Sequence, residues 1–379
     1  MRIVNAEARK IRYTSVMVRD GEGHSHPGKA HEDSVGFFVV TCDDGTKGYA
    51  VGGNMNVDIL NKVVAPAIIG EDPFMHERIW QRMRTWQRLH SLFSDRTLCA
   101  LDLALWDICG KKCGLPVYKL LGGYREKVPA YGSIMVGDDI KGGLDTPEAY
   151  AAFAKELVKK GYKAIKLHTW MPPIIPYPDP KLDVRACAAV RDAVGPDIDL
   201  MLDPYHDYSR EDALYIADAL KELDFLWMEE PMDEHSMSSY VWLREKTKLP
   251  ICGPETMEGK NRMRAEWILS GASDIGRAGT EVTGGITSVM KSVHLYESFG
   301  MSIELHGNTI GNLHVLGAMG IDGKYFERGL LHPLIDYEKP KPWFKKIYDP
   351  MDENGFVSIP DGPGLGLDFD FDYIRDNLI

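Results

Sequence analysis

The pattern of hydrophobic and polar positions changes at about residue 126, and this change divides the chain into two parts. Beyond it, short apolar runs alternate with amphipathic stretches, such as the helix predicted over 146–161, which begins at a Thr cap and ends in Lys-Lys-Gly. The apolar runs predict eight strands, at 128–135, 163–168, 198–203, 225–230, 250–255, 273–279, 302–307 and 324–329. Eight strands with intervening helices predict a parallel (β/α) barrel.

The residues before this point lack the alternation and predict a separate α+β domain. Apolar and turn residues predict strands over 2–19 and 35–52, with a polar segment, 20–32, between them. Helical patterns follow at 56–69, 74–90 and 95–113. The third helix is apolar on most faces and ends on Gly114, so we expect it to be buried.

The predicted organisation is therefore a first domain over 1–125, a barrel over 126–330 and a C-terminal segment over 331–379. The C-terminal segment is irregular, and we expect it to return to the first domain. A Pro-rich loop, 171–180, follows a strand directly. It therefore belongs at the carboxyl-terminal mouth of the barrel, where active sites lie.

Three acidic residues stand at equal intervals, each at the end of an apolar run. They are Asp203, Glu229 and Glu255, and each interval is 26 residues. One strand, one helix and their turns occupy about this length, so we expect the three carboxylates at the ends of consecutive parallel strands. Converging carboxylates repel one another unless a cation lies between them. Oxygen ligands favour a hard cation, and the sequence therefore predicts a Mg²⁺ site.

Further titratable residues lie on strands that would face this site. Lys166 and His168 are two apart on one strand, so both point to the same face. His306 ends another strand, and we expect Asp274 on the preceding strand to accept from its ring N–H and fix its tautomer. Glu327 on the last strand would close the ring. This set suits removal of a proton next to a carboxylate, because a divalent cation and Lys166 can stabilise an ene-diolate.

Composition and charge exclude several classes of partner. The chain has 379 residues and a formal net charge of −12, so a nucleic acid or an anionic membrane surface would repel it. No apolar run approaches the ~18 residues of a membrane helix, and the start lacks the apolar core of a signal peptide. The six cysteines form no C-x-x-C pair, and we expect reduced thiols. These features predict a cytoplasmic protein with a small-molecule carboxylate as its substrate.

The motifs around these residues resemble those of the enolase superfamily, in the mandelate racemase subgroup, over nearly the whole chain. The most specific pieces are Asp203 in LMLD, Glu229 in MEEP, Glu255 in GPET, Asp274 in SDIGR, His306 in ELHGN and Glu327 in FERG. The resemblance implies an N-terminal capping domain over 1–125 and a modified (β/α)₇β barrel. It also implies that the segment at about 20–32 forms a lid over the site.

The resemblance assigns roles to these residues as well. One Mg²⁺ per subunit would bind the three equally spaced acids, with the first acid of the Glu229-Glu230 pair as the ligand. His306 would be the general base or acid, oriented by Asp274, and Glu327 would donate a hydrogen bond to the substrate carboxylate. A homo-oligomer, an octamer or a dimer, is also implied. The candidate substrate-binding residues, in segments at the predicted mouth, are His24, His26, Tyr205 and Asn308.

The chain departs from the subgroup at two places. Lys-x-Lys is usual on the second barrel strand, and here the sequence is Lys166-Leu167-His168. Lys166 keeps an electrostatic role, whereas His168 is a base, a substrate ligand or neither. Tyr205 stands where Asn is frequent. The face of the substrate that the usual lysine serves is therefore open, while the resemblance assigns the other face to His306.

These features predict Mg²⁺-dependent abstraction of the proton α to a carboxylate, in the dehydration of a sugar acid to a 2-keto-3-deoxy acid. One His can take the α-proton and assist the leaving β-hydroxyl in a syn elimination. The alternative is a racemase, epimerase or cycloisomerase acting on a related hydroxy acid or sugar lactone, which gains if His168 is a second base. A non-catalytic binding barrel is disfavoured, because the metal ligands and the Asp274–His306 pair are all present. The sequence does not identify the sugar acid.

Overall fold

The computed structural model describes residues 1–21, 23–52, 54–174 and 177–379. The chain begins with an antiparallel sheet in the order β1–β2–β3. Its strands are Ile3–Arg19 (β1), Ser25–Cys42 (β2) and Lys47–Gly52 (β3). A tight turn joins β2 to β3, and Gly45 adopts φ 85° there, a conformation that favours glycine.

The hairpin of β1 and β2 is longer than the sequence predicts. Pairing continues past an irregularity between Ser15 and Met17 as far as Arg19 and Ser25. Most of the polar segment at 20–32, which the sequence analysis placed between two strands, is therefore strand, so its placement outside the strands is wrong; Glu22 lies outside the described residues. The first part of β2 is exposed or half-buried at every position. Both of its faces are polar, so no hydrophobic alternation marks this strand in the sequence.

The helices of the capping domain lie close to their predicted positions. They are Val57–Ile59 (α1), Ala65–Ile68 (α2), His76–Trp86 (α3), Asp95–Cys113 (α4) and Val117–Leu120 (α5), with a π turn over Leu60–Val64 between the first two. Ser94 caps α4 by accepting from the N–H of Thr97, and Gly114 ends it with φ 68°. Every residue from Thr97 to Gly110 is buried, as the apolar sequence of α4 predicts.

Eight strands form the barrel, and each overlaps a predicted strand. They are Lys127–Ile134 (β4), Ala164–Leu167 (β5), Asp199–Leu202 (β6), Trp227–Glu229 (β7), Ile251–Cys252 (β8), Gly276–Ala278 (β9), Ile303–Leu305 (β10) and Phe326–Leu331 (β11). Parallel pairing runs in the order β11–β4–β5–β6–β7–β8, and β9 pairs with β10. A bridge between Cys252 and Ile275 joins β8 to the β9 segment.

Helices follow the first seven of these strands. They are Pro147–Lys159 (α6), Pro180–Val194 (α7), Arg210–Glu222 (α8), Met237–Lys246 (α9), Lys260–Ser270 (α10), Ile286–Ser298 (α12) and Ile310–Ala318 (α13), with a short additional helix, Thr280–Thr283 (α11). Seven strand–helix units and a final strand give the (β/α)₇β architecture. No helix in the described part of the chain is long and apolar enough to cross a membrane.

The C-terminal segment runs back to the first domain. Its strand Phe356–Ser358 (β12) pairs antiparallel with β4, and its helix is Phe371–Asn377 (α14). Lys10 and Ile379 exchange two backbone hydrogen bonds at the edge of β1. The ring of Phe369 packs against that of Phe37, with the centroids 5.7 Å apart.

Buried hydrogen bonds dock the capping domain onto the barrel. Asp102 of α4 accepts from the hydroxyl of Thr287 at 2.5 Å and from its N–H at 3.0 Å. The indole of Trp106 donates to the same hydroxyl at 3.0 Å, and that of Trp80 donates to the carbonyl of Gly284 at 2.7 Å. These contacts fix the domain that carries the β1–β2 hairpin relative to the mouth of the barrel.

Candidate active site

Lys166 lies at the centre of the carboxylates that the sequence brings to the mouth. Its Nζ is 3.1 Å from Oδ2 of Asp203, 3.0 Å from Oε2 of Glu229 and 3.1 Å from Oε1 of Glu327. The lysine is fully buried. Burial lowers the pKa of Lys166, but the carboxylates of Glu229 and Glu327 outweigh burial and hold it well above its usual value. Lys166 is therefore a permanent cation inside the barrel.

Arg277 is a second buried cation that the sequence analysis missed. Its Nε is 2.7 Å from Oε1 of Glu229 and 3.3 Å from Oε2 of Glu255, and its Nη2 is 2.8 Å from Oε2 of Glu327. Nη2 also lies 3.3 Å from the hydroxyl of Tyr131. One feature of the sequence could have indicated Arg277. It stands between Gly276 and Ala278 in a predicted barrel strand, where a charged side chain needs buried partners of opposite charge.

The charge balance of this cluster leaves room for a divalent cation. Four carboxylates, those of Asp203, Glu229, Glu255 and Glu327, surround Lys166 and Arg277, so acidic side chains outnumber these two cations. Burial raises the pKa of Glu229 well above its usual value, and neighbouring Asp203 adds to the effect although Arg277 opposes it. Further positive charge would relieve this cost. The oxygen donors suit Mg²⁺, so the residues fit the predicted metal.

The predicted metal ligands do not all belong to one compact group of donor atoms. One donor atom each of Glu229, Glu255 and His306 lie within 4.8 Å of one another, a spacing that could hold an ion. Asp203 contacts Lys166 and is not part of this closest group. All three equally spaced acids therefore contact the Lys166–Arg277 pair, while their assignment as the complete ligand set stays a prediction.

The adjacent acid, Glu230, turns away from the cluster. It adopts φ 31°, and its Oε1 accepts from the backbone N–H of Glu255 at 2.7 Å. Glu230 therefore supports the backbone of the next acid, whereas Glu229 faces both cations. This geometry agrees with the choice of Glu229 as the candidate ligand.

His306 stands at the edge of the cluster, with its side chain one-third exposed. Its Nδ1 is 2.8 Å from Oε2 of Glu255 and 3.9 Å from Oε2 of Glu327. Burial lowers the pKa of His306, but these two carboxylates outweigh burial and raise it above its usual value of 6.5. Nε2 makes no hydrogen bond with any residue that the structure describes. The ring therefore has one nitrogen held by the cluster and one available to a substrate.

Asp274 does not orient His306, and this prediction is wrong. Asp274 pairs with Nη2 of Arg244, and it accepts from the N–H of Ile251 at 3.0 Å. The reason is its position: β9 begins only at Gly276, so Asp274 precedes the strand. Position 306 instead follows the carboxyl end of β10. At about 3.3 Å per strand residue, the two side chains are at opposite ends of the barrel.

His168 lies in the cluster, opposite His306. Its Nε2 is 3.0 Å from Oδ2 of Asp203, and its Nδ1 is 2.6 Å from the carbonyl of Ile134. Its own carbonyl accepts from the hydroxyl of Tyr150 at 2.6 Å. Both ring nitrogens therefore face oxygen acceptors, whereas His306 leaves one nitrogen open. The choice between base, substrate ligand and neither stays a prediction for His168.

Glu327 accepts hydrogen bonds in this structure, and the donor role that the resemblance implies stays a prediction. Its Oε1 accepts from the hydroxyl of Ser133 at 2.8 Å, and its Oε2 accepts from the N–H of Gly307 at 2.7 Å. Burial raises the pKa of Glu327, but Lys166 and Arg277 outweigh burial and hold it well below its usual value.

The tip of the β1–β2 hairpin reaches the mouth. The ring of His24 packs edge-on against Tyr205, with the centroids 4.2 Å apart, and the N–H of Tyr205 donates to Oδ1 of Asp203 at 3.3 Å. Nε2 of His26 is 2.7 Å from Oδ2 of Asp20. The structure thus places His24 and Tyr205 next to the cluster, while their role in binding substrate stays a prediction.

Asn308, the remaining candidate for substrate binding, serves the protein itself. Its Nδ2 donates to the carbonyl of Gly329 at 2.6 Å and to the hydroxyl of Tyr337 at 3.0 Å, and its carbonyl accepts from Tyr348. Because both side-chain amide protons are used, Nδ2 of Asn308 has no proton left for a substrate. The sequence could not reveal this, because two of the partners belong to the distant C-terminal segment.

The Pro-rich loop at 171–180 is described except for Ile175 and Pro176. Tyr177 of this loop stacks on Trp170, with the ring centroids 6.4 Å apart. Trp170 in turn packs edge-on against Tyr150, the residue that holds the carbonyl of His168. The loop is therefore linked to the His168 side of the cluster, and its part in substrate selection stays a prediction.

Comparison with known proteins agrees with the fold. The family model of the mandelate racemase / muconate lactonizing enzyme N-terminal domain matches residues 14–122, and that of the enolase C-terminal domain-like family matches 149–373. The chain belongs to this enolase-superfamily group, the mandelate racemase and muconate lactonizing enzymes. The resemblance inferred from the motifs is therefore confirmed.

Three relatives of this chain have names that state an activity. A crystal structure of D-glucarate dehydratase from Agrobacterium tumefaciens, complexed with magnesium, is 50% identical with a TM-score of 0.98, covering 100% of this chain and 99% of that one. D-galactarolactone cycloisomerase from Agrobacterium fabrum is 30% identical over 354 residues, 89% of either chain. Arabinonate dehydratase from Saccharolobus solfataricus is 30% identical over 345 residues, 86% of either chain.

Proposed function

We propose that the protein is a Mg²⁺-dependent hydro-lyase that dehydrates a sugar acid to a 2-keto-3-deoxy acid. The observation that carries this proposal is the 50% identity, over the whole chain, to a magnesium-complexed D-glucarate dehydratase. The substrate class is an aldarate or an aldonate, since the comparisons include dehydratases of both kinds. The buried cluster of carboxylates and cations supplies the chemistry that such a reaction requires.

The cluster is suited to hold the substrate carboxylate and the charge that develops on it. Mg²⁺, bound through Asp203, Glu229 and Glu255 with one ion per chain, would supply Lewis acidity towards the substrate carboxylate oxygens. Lys166 is a buried, preorganised cation, so it favours the doubly charged ene-diolate over the ground state. Arg277 fixes the acidic side chains around it and prevents their mutual repulsion.

His306 is the proposed acid–base residue. Its Nδ1 is held by Glu255, so the open Nε2 takes the α-proton from the carbon next to the substrate carboxylate. The β-hydroxyl then leaves as water, with the proton returned by the same imidazole. The enol that results tautomerises to the 2-keto-3-deoxy acid. One imidazole serves both steps when the two groups leave from one face.

A cycloisomerase acting on a sugar lactone is the second candidate. The observation that favours it is the 30% identity to D-galactarolactone cycloisomerase. In that case the α-proton is removed and a ring oxygen leaves in place of a hydroxyl, so the same cluster serves. A racemase or epimerase needs a second base, and His168 at 3.0 Å from Asp203 is the residue in position to be one.

The proposal includes a homo-oligomer and a cytoplasmic setting. Both rest on the family resemblance and on the sequence, and neither is needed for the chemistry. The lid role of the β1–β2 hairpin tip and the specificity role of the 171–180 loop also belong to the proposal. They are supported by the contact of His24 with Tyr205 and by the stacking of Tyr177 on Trp170.

A product screen tests the function. The chain is incubated with Mg²⁺ and with aldarates, aldonates and galactarolactone, and the products are separated by mass. Loss of one water and formation of a 2-keto group is the expected result for at least one acid. Turnover of the lactone alone, without loss of water, would favour the cycloisomerase. No turnover of any acid or lactone, by a chain that binds Mg²⁺, would refute the proposal.

A further inference from the structure

Asn312 is a fully buried side chain in the first turn of α13, and it holds the loop that carries His306. Its Nδ2 donates to the carbonyl of His306 at 2.5 Å and to that of Gly307 at 2.8 Å. Its Oδ1 accepts from the backbone N–H of Thr280 at 2.9 Å. One amide therefore joins the end of β10 to the segment after β9.

The orientation of this amide is unambiguous. Thr280 offers an N–H, which can only donate, and the two carbonyls can only accept. A reversed amide would face like groups on both sides. The side-chain amide of Asn312 thus bonds to three backbone groups, and none of these hydrogen bonds involves a substrate.

The backbone of His306 and Gly307, whose carbonyls Asn312 binds, makes further hydrogen bonds that position the site. The N–H of Gly307, which adopts φ 85°, donates to Oε2 of Glu327 at 2.7 Å. The N–H of His306 donates to the carbonyl of Ala278 at 2.7 Å. On the same side, a Cβ at Gly279 would lie 2.7 Å from the carbonyl oxygen of His306, so the two segments are in close contact. Asn312 therefore fixes the backbone of His306 and of Gly307, the residue whose N–H donates to the side chain of Glu327.

We propose that Asn312 is a positioning residue for the acid–base chemistry of His306. This inference rests on the proposed function for the role of His306, and it adds a residue that the reaction itself does not touch. Because a misplacement of about 1 Å costs on the order of 10²-fold in rate, removal of this amide lowers kcat strongly. Asn312 makes no hydrogen bond to the proposed metal ligands Asp203, Glu229 and Glu255, which belong to other strand–helix units, so we expect Mg²⁺ affinity to be retained.

Two variants and one matched control test the proposal. Asn312→Asp keeps the acceptor for Thr280 but turns an oxygen towards the two carbonyls, and Asn312→Ala removes all three contacts. The control is His314→Ala, on the same helix and equally buried. His314 contacts the N–H of Tyr118 and the carbonyl of Leu365, both at 3.2 Å and both away from the His306 loop.

The expected result is a lower kcat with a nearly unchanged KM. Both Asn312 variants lower kcat by roughly 10- to 100-fold, while KM and the Mg²⁺ midpoint change by less than about threefold. His314→Ala lowers the melting temperature and leaves kcat unchanged. Unchanged kcat in Asn312→Asp, or an equal loss of kcat in His314→Ala, overturns the proposal, because the effect would then be absent or merely structural.

A second measurement separates this inference from the proposed function. The imidazole signals of ¹³C-labelled histidine are recorded by NMR without substrate, and the His306 signal is identified by its loss in His306→Asn. Asn312→Asp is expected to shift that signal, and His314→Ala is expected to leave it in place. An unmoved signal in Asn312→Asp overturns the positioning role even if no sugar acid is turned over. A failed product screen with a shifted signal refutes only the function.

Discussion

The guanidinium of Arg277 binds Glu327, with Nη2 2.8 Å from Oε2, and both side chains are buried. The same guanidinium reaches Glu229 at 2.7 Å, so one residue compensates carboxylates from two strands. We therefore expect Arg277→Met to destabilise the Mg²⁺-free protein by about 3–5 kcal/mol, the cost of leaving buried charge without its partner. Denaturant unfolding in EDTA measures this loss.

Arg244→Met is the matched control for that experiment. Arg244 pairs with Asp274, but about a third of each side chain is exposed, so solvent screens the pair. We expect a loss of about 1 kcal/mol or less from the broken ion pair. An equal effect of the two substitutions would contradict the view that the Arg277 cluster is a buried electrostatic centre.

Asp274→Asn should leave catalysis nearly intact. Asp274 binds Arg244 and the N–H of Ile251 at the amino-terminal end of the barrel strands, away from His306. The asparagine keeps an oxygen for the Ile251 N–H, so we expect kcat within about threefold of wild type, against the 10²–10⁴-fold that general acid–base groups contribute. Steady-state kinetics on the acid found in the product screen checks this. If Asp274→Asn lost turnover but kept a normal melting temperature, the result would support the original prediction that Asp274 orients His306.

The contrast between Asp203 and Asp274 shows what sequence could and could not predict. The acids at 203, 229 and 255 each end an apolar run, so their positions at strand ends could be read from spacing alone. β9 is as short as β7, but the segment 273–279 contains few apolar residues, so its sequence does not mark which end of the barrel position 274 occupies. The register of a short buried strand is set by pairing with its neighbours, which the chain does not display.

Arg277 and the β1–β2 hairpin were missed for related reasons. The contacts of Arg277 come from three different strands, and only closure of the barrel brings them together. The hairpin extension at 25–34 is polar on both faces, so its backbone pairing with β1 leaves no trace in the hydrophobic pattern. The long helices, such as α4, were predictable from sequence. The apolar residues of α4 indicate that it is buried, and Ser94 and Gly114 mark its two ends.

The choice between the adjacent acids gives a test of the metal site. Mg²⁺ at about 100 times its Kd should stabilise the wild type by about 2.7 kcal/mol, because the ion binds only the folded chain. We expect Glu229→Gln to abolish this stabilisation, since Glu229 faces Lys166 and Arg277. The readout is the shift in melting temperature between Mg²⁺ and EDTA.

Glu230→Gln is the control for the metal experiment. Glutamine keeps an oxygen for the N–H of Glu255, which Glu230 holds at 2.7 Å. We expect this variant to retain the Mg²⁺ shift. The reverse outcome, with the shift lost in Glu230→Gln and kept in Glu229→Gln, would show that the ligand is the second acid of the pair.

The two histidines should differ in proton exchange. His306 leaves Nε2 open, whereas both ring nitrogens of His168 face acceptors. We expect His306→Asn to lose turnover by about 10²–10⁴-fold, and more if one imidazole serves both steps, while metal and substrate still bind. Exchange of the substrate α-proton with D₂O should persist in His168→Asn. Exchange that disappears in His168→Asn and persists in His306→Asn would make His168 the base.

A buried carboxyl outside the cluster gives a prediction for stability against pH. Asp183 of α7 accepts from the hydroxyl of Tyr208 at 2.5 Å. Burial raises the pKa of Asp183 from its ordinary value of 3.8 to about 7, although the hydrogen bond from Tyr208 opposes the shift. The folded chain therefore keeps this proton over a range in which the unfolded chain has lost it.

The sign follows from that difference. Because the folded pKa lies above the unfolded value, the contribution of Asp183 is fully present below about pH 4 and is lost progressively as the pH rises to about 7. We expect the wild type to lose roughly 2–3 kcal/mol of unfolding free energy between pH 5 and pH 7 from this residue. Asp183→Asn cannot ionise and should lack this part of the slope. Denaturant unfolding at both pH values, in EDTA, measures the difference, and parallel profiles for the two proteins would contradict a buried protonated Asp183.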